Sequence, residues 1–306
     1  MLFRSCHTNR KTGEYHCHNK PTNVVKQIKN DAKTEARISA NNTVRTTARV
    51  FSPSALQSAL KVHFIDVGQG DSILIDSGQN ELLIDGGEKS SGVVNYINSY
   101  VEGPLETVIA THPHSDHIGG LIKVLDDFQV NEIWLNGDTS TSKTYKQFMA
   151  AVELEGANVY NARERGVISL DNLNFTILNP PFILFKDINN NSIVLRLEYG
   201  NTTFLFTGDA EQEVESTMLA PGNGLQVQIL KASHHCSKTS SSKLFLMAVN
   251  PKEAICMVGE NNRYGHPHQE TLNNLKEIGA NVYRTDINGT IVVFTDGQSY
   301  KIELTK

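Results

Sequence analysis

The sequence predicts an α/β protein built as two mixed β-sheets packed face to face, with helices on the outside. Three observations carry this reading. Strand-rich stretches with helices between them occur once in each half of the 306 residues. Apolar residues alternate or run continuously in short segments bounded by Gly, Asn and Asp, as in strands buried on one or both faces. Residues of the kind that ligate metals recur where those strands end: after 110, at 209 and after 233. Functional groups of layered α/β folds gather at strand ends, so these three loops are expected to meet.

The elements follow in order. From 62 the chain reads strand, turn, strand, as VHFIDV, GQGD, SILIDS, GQNE and LLIDGG. A helix over 91–101 precedes a strand at 107–110, and a helix over 118–128 follows the loop between them. Strands at 132–135 and 158–160 bracket a helix over 143–155. Strands at 173–178, 192–199 and 202–207 come next, the last ending in Gly208 and Asp209. A helix over 211–219 and a strand at 227–231 lead to Ser233, His234 and His235. A helix over 243–248, a strand at 254–258, the segment NNRYGHPH and a helix over 270–278 follow, and strands near 282, at 291–295 and at 299–304 close the chain. No period of 20–50 residues is present, which excludes a solenoid.

The loop at 111–120, THPHSDHIGG, carries the strongest chemistry. Neutral imidazole and anionic carboxylate together suit borderline divalent metals. In an extended loop His112 and His114 point the same way and can grip one ion. Asp116 and His117 turn into the following helix and can grip a second, at the roughly 3.5–4 Å separation of two-metal hydrolases.

Composition is that of a soluble globular protein, 39% hydrophobic and 20% charged. No run approaches the roughly 20 apolar residues of a membrane span, and no signal-peptide core follows Met1. The chain is therefore expected to be soluble, with cytoplasmic and secreted locations both open and oligomeric state unspecified. Its charge is uneven: residues 1–50 hold ten Lys and Arg against three Asp and Glu, and the remainder 18 against 30. Such a basic arm on an acidic body can hold a polyanion near a catalytic face, or can be a solvated leader.

The chain organisation expected is a small Cys/His-rich module at 1–20, a basic linker at 21–58 and a hydrolase domain at 59–306. In the first piece Cys6, His7, His16, Cys17 and His18 flank a turn and form a candidate structural zinc site, metal supplying the folding energy that so short a piece lacks. Four cysteines in all provide no disulfide framework. Cys256, in the apolar run at 254–258, is expected as a core thiol, and Cys236 as a small residue packed in a turn.

The order of HxHxDH, a strand-ending Gly-Asp and a strand-ending His resembles the metallo-β-lactamase fold superfamily. Within it the chain is most similar to the hydrolase domain of ComEC-type competence DNA-uptake proteins. The segments that carry this are HFIDVGQGDSILI, LLIDGG, THPHSDHIGG, NNNSIVLRLEYG, FLFTGD, LKASHH, NRYGHPH and VYRTDINGTI, across roughly 61–295. Those relatives read HHGS where this chain has His234, His235, Cys236 and Ser237, and they also carry a membrane channel region.

The resemblance implies a four-layer αββα sandwich with two divalent ions, zinc or manganese, in the groove between sheets. His112 and His114 would bind the first ion, Asp116, His117 and His235 the second, with Asp209 bridging and Asp85 orienting the metal loop. His234, His266 and Asp116 are the candidate catalytic residues; Asn191, Ser192, Ser237, Lys238 and His268 are expected to contact substrate. Where many members supply a further His to the first ion, this chain reads Asn189, Asn190, Asn191 and Ser192. An amide oxygen or water would complete that weaker, more oxygen-rich site, which shifts its preference toward manganese. The expected activity is metal-dependent phosphodiester hydrolysis of DNA by a two-metal-activated hydroxide. The alternatives are a hydrolase of small phosphodiesters or phosphocholine esters and a non-catalytic metal-stabilised binding module.

Overall fold

The computed structural model describes residues 59–306 and two strands before them, β1 (Arg4–Thr8) and β2 (Tyr15–Asn19). These two pair antiparallel, with Cys6 opposite Cys17 and His7 opposite His16. The side chains of Cys6, His7, His16, Cys17 and His18, on which a structural zinc depends, lie outside the described residues, as does the segment at 21–58.

The first half of the body runs β3 (Leu60–Phe64), β4 (Ile73–Asp76), β5 (Glu81–Ile84), α1 (Val93–Ile97), β6 (Leu105–Ala110), α2 (Ser115–Ile118), α3 (Leu121–Asp127), β7 (Val130–Leu135), α4 (Lys143–Glu155) and β8 (Asn158–Asn161). The second half runs β9 (Val167–Leu170), β10 (Leu173–Asn179), β11 (Val194–Tyr199), β12 (Thr202–Phe206), α5 (Gln212–Met218), β13 (Ile229–Lys231), α6 (Lys243–Val249), β14 (Glu253–Cys256), α7 (Gln269–Glu277) and β15 (Asn281–Arg284). The chain then forms α8 (Thr285–Asn288) and returns to the first sheet with β16 (Ile291–Thr295) and β17 (Tyr300–Leu304). One sheet has the order β17-β16-β3-β4-β5-β6-β7-β8 and the other β15-β14-β13-β12-β11-β10-β9. Strands joined by tight turns pair antiparallel. Those joined through helices, β5 to β8 and β12 to β15, pair parallel, as crossover connections require.

Side-chain alternation builds three apolar layers from these two sheets. Leu60, Val62 and Phe64 on β3 meet Phe204 and Phe206 on β12 in the central layer, where the Phe64 and Phe206 rings lie 6.2 Å apart. The outer face of the first sheet, with Leu74, Leu83 and Val108, packs on Ile97, Leu121 and Phe148 of the helices. The outer face of the second, with Leu205, Leu230 and Ala254, packs on Val214, Phe245 and Leu275. The architecture is thus the expected αββα sandwich.

Local signals explain where elements begin and end. The α4 bounds match those read from the sequence because Ser142 Oγ accepts the Tyr145 amide at 3.1 Å and Gly156 closes the helix at φ 72°. The helix expected over 118–128 is instead two helices, α2 and α3. Gly119 and Gly120 lie between them against the turn after β5, where a Cβ on Gly120 would collide with the Gly86 carbonyl. β9 and α8 were not expected from sequence; β9 is a short edge strand joined to β10 through Asp171 at φ 51°.

Alternation also turns His63 of β3 away from the central layer and onto α1. It is 1% exposed, with Nδ1 at 2.8 Å from the Tyr96 hydroxyl and its ring edge-on to Tyr100. Burial, only partly offset by Asp76, pushes it down to about 4. The unfolded chain therefore takes up this proton first as pH falls below about 6.5. Stability should decline between pH 6.5 and 4, by roughly 3 kcal/mol from this residue alone. Urea unfolding at pH 7 and pH 4.5 tests this: His63→Leu should show the shallower pH dependence, and equal slopes would exclude His63 as the source.

Candidate metal centre

The three strand-end loops converge on one carboxylate oxygen. Asp209 follows β12, is 2% exposed, and its amide donates to Ser192 Oγ at 3.0 Å. Around its Oδ2 lie His117 Nε2 at 3.2 Å, His235 Nε2 at 3.4 Å, and His112 Nε2 and His234 Nε2 each at 3.8 Å. Asp116 Oδ2 lies 3.5 Å from His235 Nε2.

Each inner ring is held by its other nitrogen. His117 Nδ1 lies 2.8 Å from Asp85 Oδ2, and Asp85 also accepts the Thr111 amide and hydroxyl at 2.8 and 2.7 Å. One carboxylate thereby fixes both the start of the metal loop and the His117 ring, so that Nε2 faces Asp209. His235 Nδ1 lies 2.9 Å from the Met257 carbonyl and 3.2 Å from Asp71 Oδ1. His112 Nδ1 lies 3.2 Å from Thr111 Oγ1, and its Nε2 lies 3.0 Å from His114 Nδ1.

The electrostatics follow from this crowding. Burial, the largest single influence, would lower His117 and His235, but Asp209 together with Asp85 on His117, and with Asp71 and Asp116 on His235, outweighs it, and both stay well above the ordinary range. His112, buried beside His117, is pushed well below it. Burial would raise Asp209, yet His235 and His117 hold it well below the usual carboxylate value.

The donor set fits divalent metal. His117 Nε2 and His235 Nε2 are buried without a hydrogen-bond partner, an expensive state for polar atoms unless an ion completes it. Among the described residues, ligand atoms of His112, His117 and Asp209 lie within 4.8 Å of one another, as do those of Asp116, His117 and His235.

The chain belongs to the metallo-β-lactamase superfamily, whose family model matches residues 65–260. It is 33% identical over 263 residues to ComE operon protein 3 of Bacillus subtilis (strain 168), covering 79% of this chain and 34% of that protein. It is 32% identical over 230 residues to competence protein ComA of Neisseria gonorrhoeae, covering 74% and 31%. The chain thus spans about a third of the length of the curated relatives it matches. In fold it is similar to the metallo-β-lactamase fold protein YhfI of Bacillus subtilis, at TM-score 0.53 and 17% identity, covering 78% of this chain and 100% of that one. This superfamily is one of metal-dependent hydrolases that bind divalent ions.

Other expected site residues fall in distinct places. His234 is half-exposed, with Nδ1 at 3.0 Å from Glu211 Oε1 and 3.2 Å from Thr239 Oγ1. The His266 ring stands 5.5 Å from His234 and 5.0 Å from His268, and burial followed by the His235 and His234 charges pushes it down to about 4. Lys238 is exposed, and its amide donates to His268 Nδ1 at 3.3 Å.

Asn191, Ser192 and Ser237, expected to contact substrate, lie inside the protein. Asn191 and Ser192 are fully buried and their side chains bond to the protein itself. Asn191 bonds Phe185 and Asp138, while Ser192 holds the Asp209 amide. Ser237 is likewise buried, and its hydroxyl lies 3.0 Å from Thr239 Oγ1. The expected amide oxygen for the first ion is not that of Asn191 or Asn190, which accept the Phe185 and Glu211 amides; Asn189 Oδ1 alone of the three is without a partner.

Cys236 and Cys256 form a disulfide, where a turn residue and a core thiol were expected. It ties the His234–Cys236 turn, whose three residues all take left-handed φ of 48°, 51° and 60°, to β14. Lys231 and Glu211 are functional neighbours that sequence reasoning missed. A lysine within the apolar run of β13 was the available signal, since lysine is almost never fully buried unless paired.

Proposed function

We propose that the chain is a metal-dependent phosphodiesterase acting on DNA. The observation that carries this reading is Asp209 Oδ2 encircled by four imidazoles at 3.2–3.8 Å with Asp116 beside them. His112, His114 and Asp209 would hold one divalent ion, and Asp116, His117, His235 and Asp209 the other; zinc or manganese suits these donors. Ions so held supply Lewis acidity and lower the pKa of bound water from about 15.7 toward about 7, matching the charge that builds on a phosphoryl group.

The chain's own groups would manage orientation and protons. Asp85 and Met257 keep the Nε2 atoms of His117 and His235 turned inward. His234 presents Nε2 toward Asp209 while Nδ1 is backed by Glu211, whose carboxyl the His234 hydrogen bond keeps low. That pairing orients the ring, so His234 would be placed to hand a proton to the leaving oxygen. His266, neutral above about pH 4, would accept a hydrogen bond from substrate.

Support for DNA comes from the relative named as a competence protein and from the basic residues at 1–50. The buried Cys236–Cys256 disulfide supports action in an oxidising compartment. A second reading rests on a cavity of about 560 Å³ beside His234, lined by Asp187, Glu211, Glu213, Glu270, Asn190 and Lys238 among others. Its acidic wall suits a cationic leaving group, as in a phosphocholine ester, and disfavours a second phosphate.

The test incubates the protein with manganese or zinc and single-stranded DNA, bis(p-nitrophenyl) phosphate or a phosphocholine ester. The DNA reading expects metal-dependent strand cleavage whose KM rises with salt, because contacts to phosphates release counterions. Turnover of the choline ester alone selects the second reading. Metal binding without turnover of any substrate makes the chain a binding module.

A further inference from the structure

We propose that Lys231 is a positioning residue for Asp209: it draws Oδ1 aside, so that Asp209 would offer Oδ2 alone to the metal positions. This rests on the two-metal reading above. Lys231, at the end of β13, is fully buried. Its ammonium donates to the Gly208 carbonyl at 2.8 Å, pairs with the Asp71 carboxylate and lies 3.7 Å from Asp209 Oδ1. Every imidazole contact of Asp209 instead goes to Oδ2. The two oxygens therefore face different charges, one a fixed cation and the other four ring nitrogens.

The pair also reaches the ligands from behind. Gly208, whose carbonyl Lys231 holds, directly precedes Asp209 and takes φ +50°, where a Cβ would crowd Ser192. Asp71 lies 3.2 Å from His235 Nδ1 and 3.9 Å from His117 Nδ1. One buried ion pair thus touches Asp209, His235 and His117. Asp71 itself is placed by Gly70, where any Cβ would strike the Asp116 carbonyl, and by its own amide, which donates to that carbonyl at 3.2 Å.

A purely structural role makes a different prediction. Buried ion pairs contribute little net stability, and replacing both members with apolar groups of similar size is often neutral. The double variant Asp71→Leu/Lys231→Met removes both charges together. With a structural role alone it should fold and bind two manganese ions as the wild type does. Under the proposal it folds, yet the weaker of the two ions binds at least about 10-fold less tightly. The exchange-coupled manganese EPR signal of the pair should then give way to that of isolated ions. A folded double variant with wild-type affinity and coupling overturns the proposal and leaves the two-metal reading standing. A wild-type protein that binds no coupled pair overturns both.

Should the double variant not fold, the wild type decides. In protein labelled with ¹⁵N-lysine, the buried Lys231 ammonium should give a slowly exchanging resonance that shifts as zinc fills the site. A resonance unmoved while two zinc ions bind overturns the proposal.

Discussion

Asp209→Ala should abolish hydrolysis, a loss on the order of 10³-fold or more, whereas Asp66→Ala should retain most of the activity. Both are aspartates that follow a strand, so the contrast isolates what Asp209 alone does. Its Oδ2 is the point within 3.8 Å of His112, His117, His234 and His235. On the proposed two-ion reading, removing it would take away the bridge between ions whose charge stabilisation is worth several kcal/mol, and each 1.36 kcal/mol is about tenfold in rate. Asp66 instead accepts the Gly68 amide at 3.3 Å and pairs with Lys306 at 2.7 Å, contacts that stabilise a turn. Steady-state rates on one phosphodiester, with bound metal quantified for each variant, make the comparison. Similar rates in the two, metal being retained, would mean that the bridging carboxylate lies elsewhere.

Asp85→Asn should weaken metal binding by roughly 10–100-fold, the usual scale when the partner of a ligating histidine is altered. The Asp85 carboxylate accepts three donors, the Thr111 amide, the Thr111 hydroxyl and His117 Nδ1. An amide in its place keeps one acceptor oxygen and turns an NH₂ against at least one of those donors. His117 is then free to present the wrong tautomer or angle to Asp209. Competition against a chromophoric chelator measures the effect. Wild-type affinity in Asp85→Asn would assign the orientation of His117 to the surrounding packing instead.

What the sequence made legible was what lay close together along the chain. His112, His114, Asp116 and His117 sit in one loop, and their density announced a metal site before any fold was known. Asp209 and His235 were legible as polar residues closing apolar strands. Lys231 and Asp71 were not, because their partnership depends on β13 standing beside the loop that follows β3, a contact with no local trace. The Cys236–Cys256 disulfide was hidden for the same reason: it needs the turn before Ser237 to fold back on β14. The helix at 118–128 was misread because its period runs through Gly119 and Gly120, where close approach to the 86–88 turn decides the geometry. Asn191 and Ser192 looked like groove residues from sequence order. Their burial came from the Asn189–Asn191 turn packing beneath Asp209.

The proposed function requires that this one cluster hold two divalent ions, with unequal strength. Calorimetric titration of metal-free protein with zinc or manganese tests it most directly. Two steps and two ions per chain are expected, the tighter step vanishing in His235→Ala and the weaker in His112→Ala. Affinity in the tighter step should rise with pH, because His117 and His235 hold their protons well above the ordinary range and must release them to bind. A single step of one ion, or a tighter step that survives His235→Ala and is lost in His112→Ala, would contradict it.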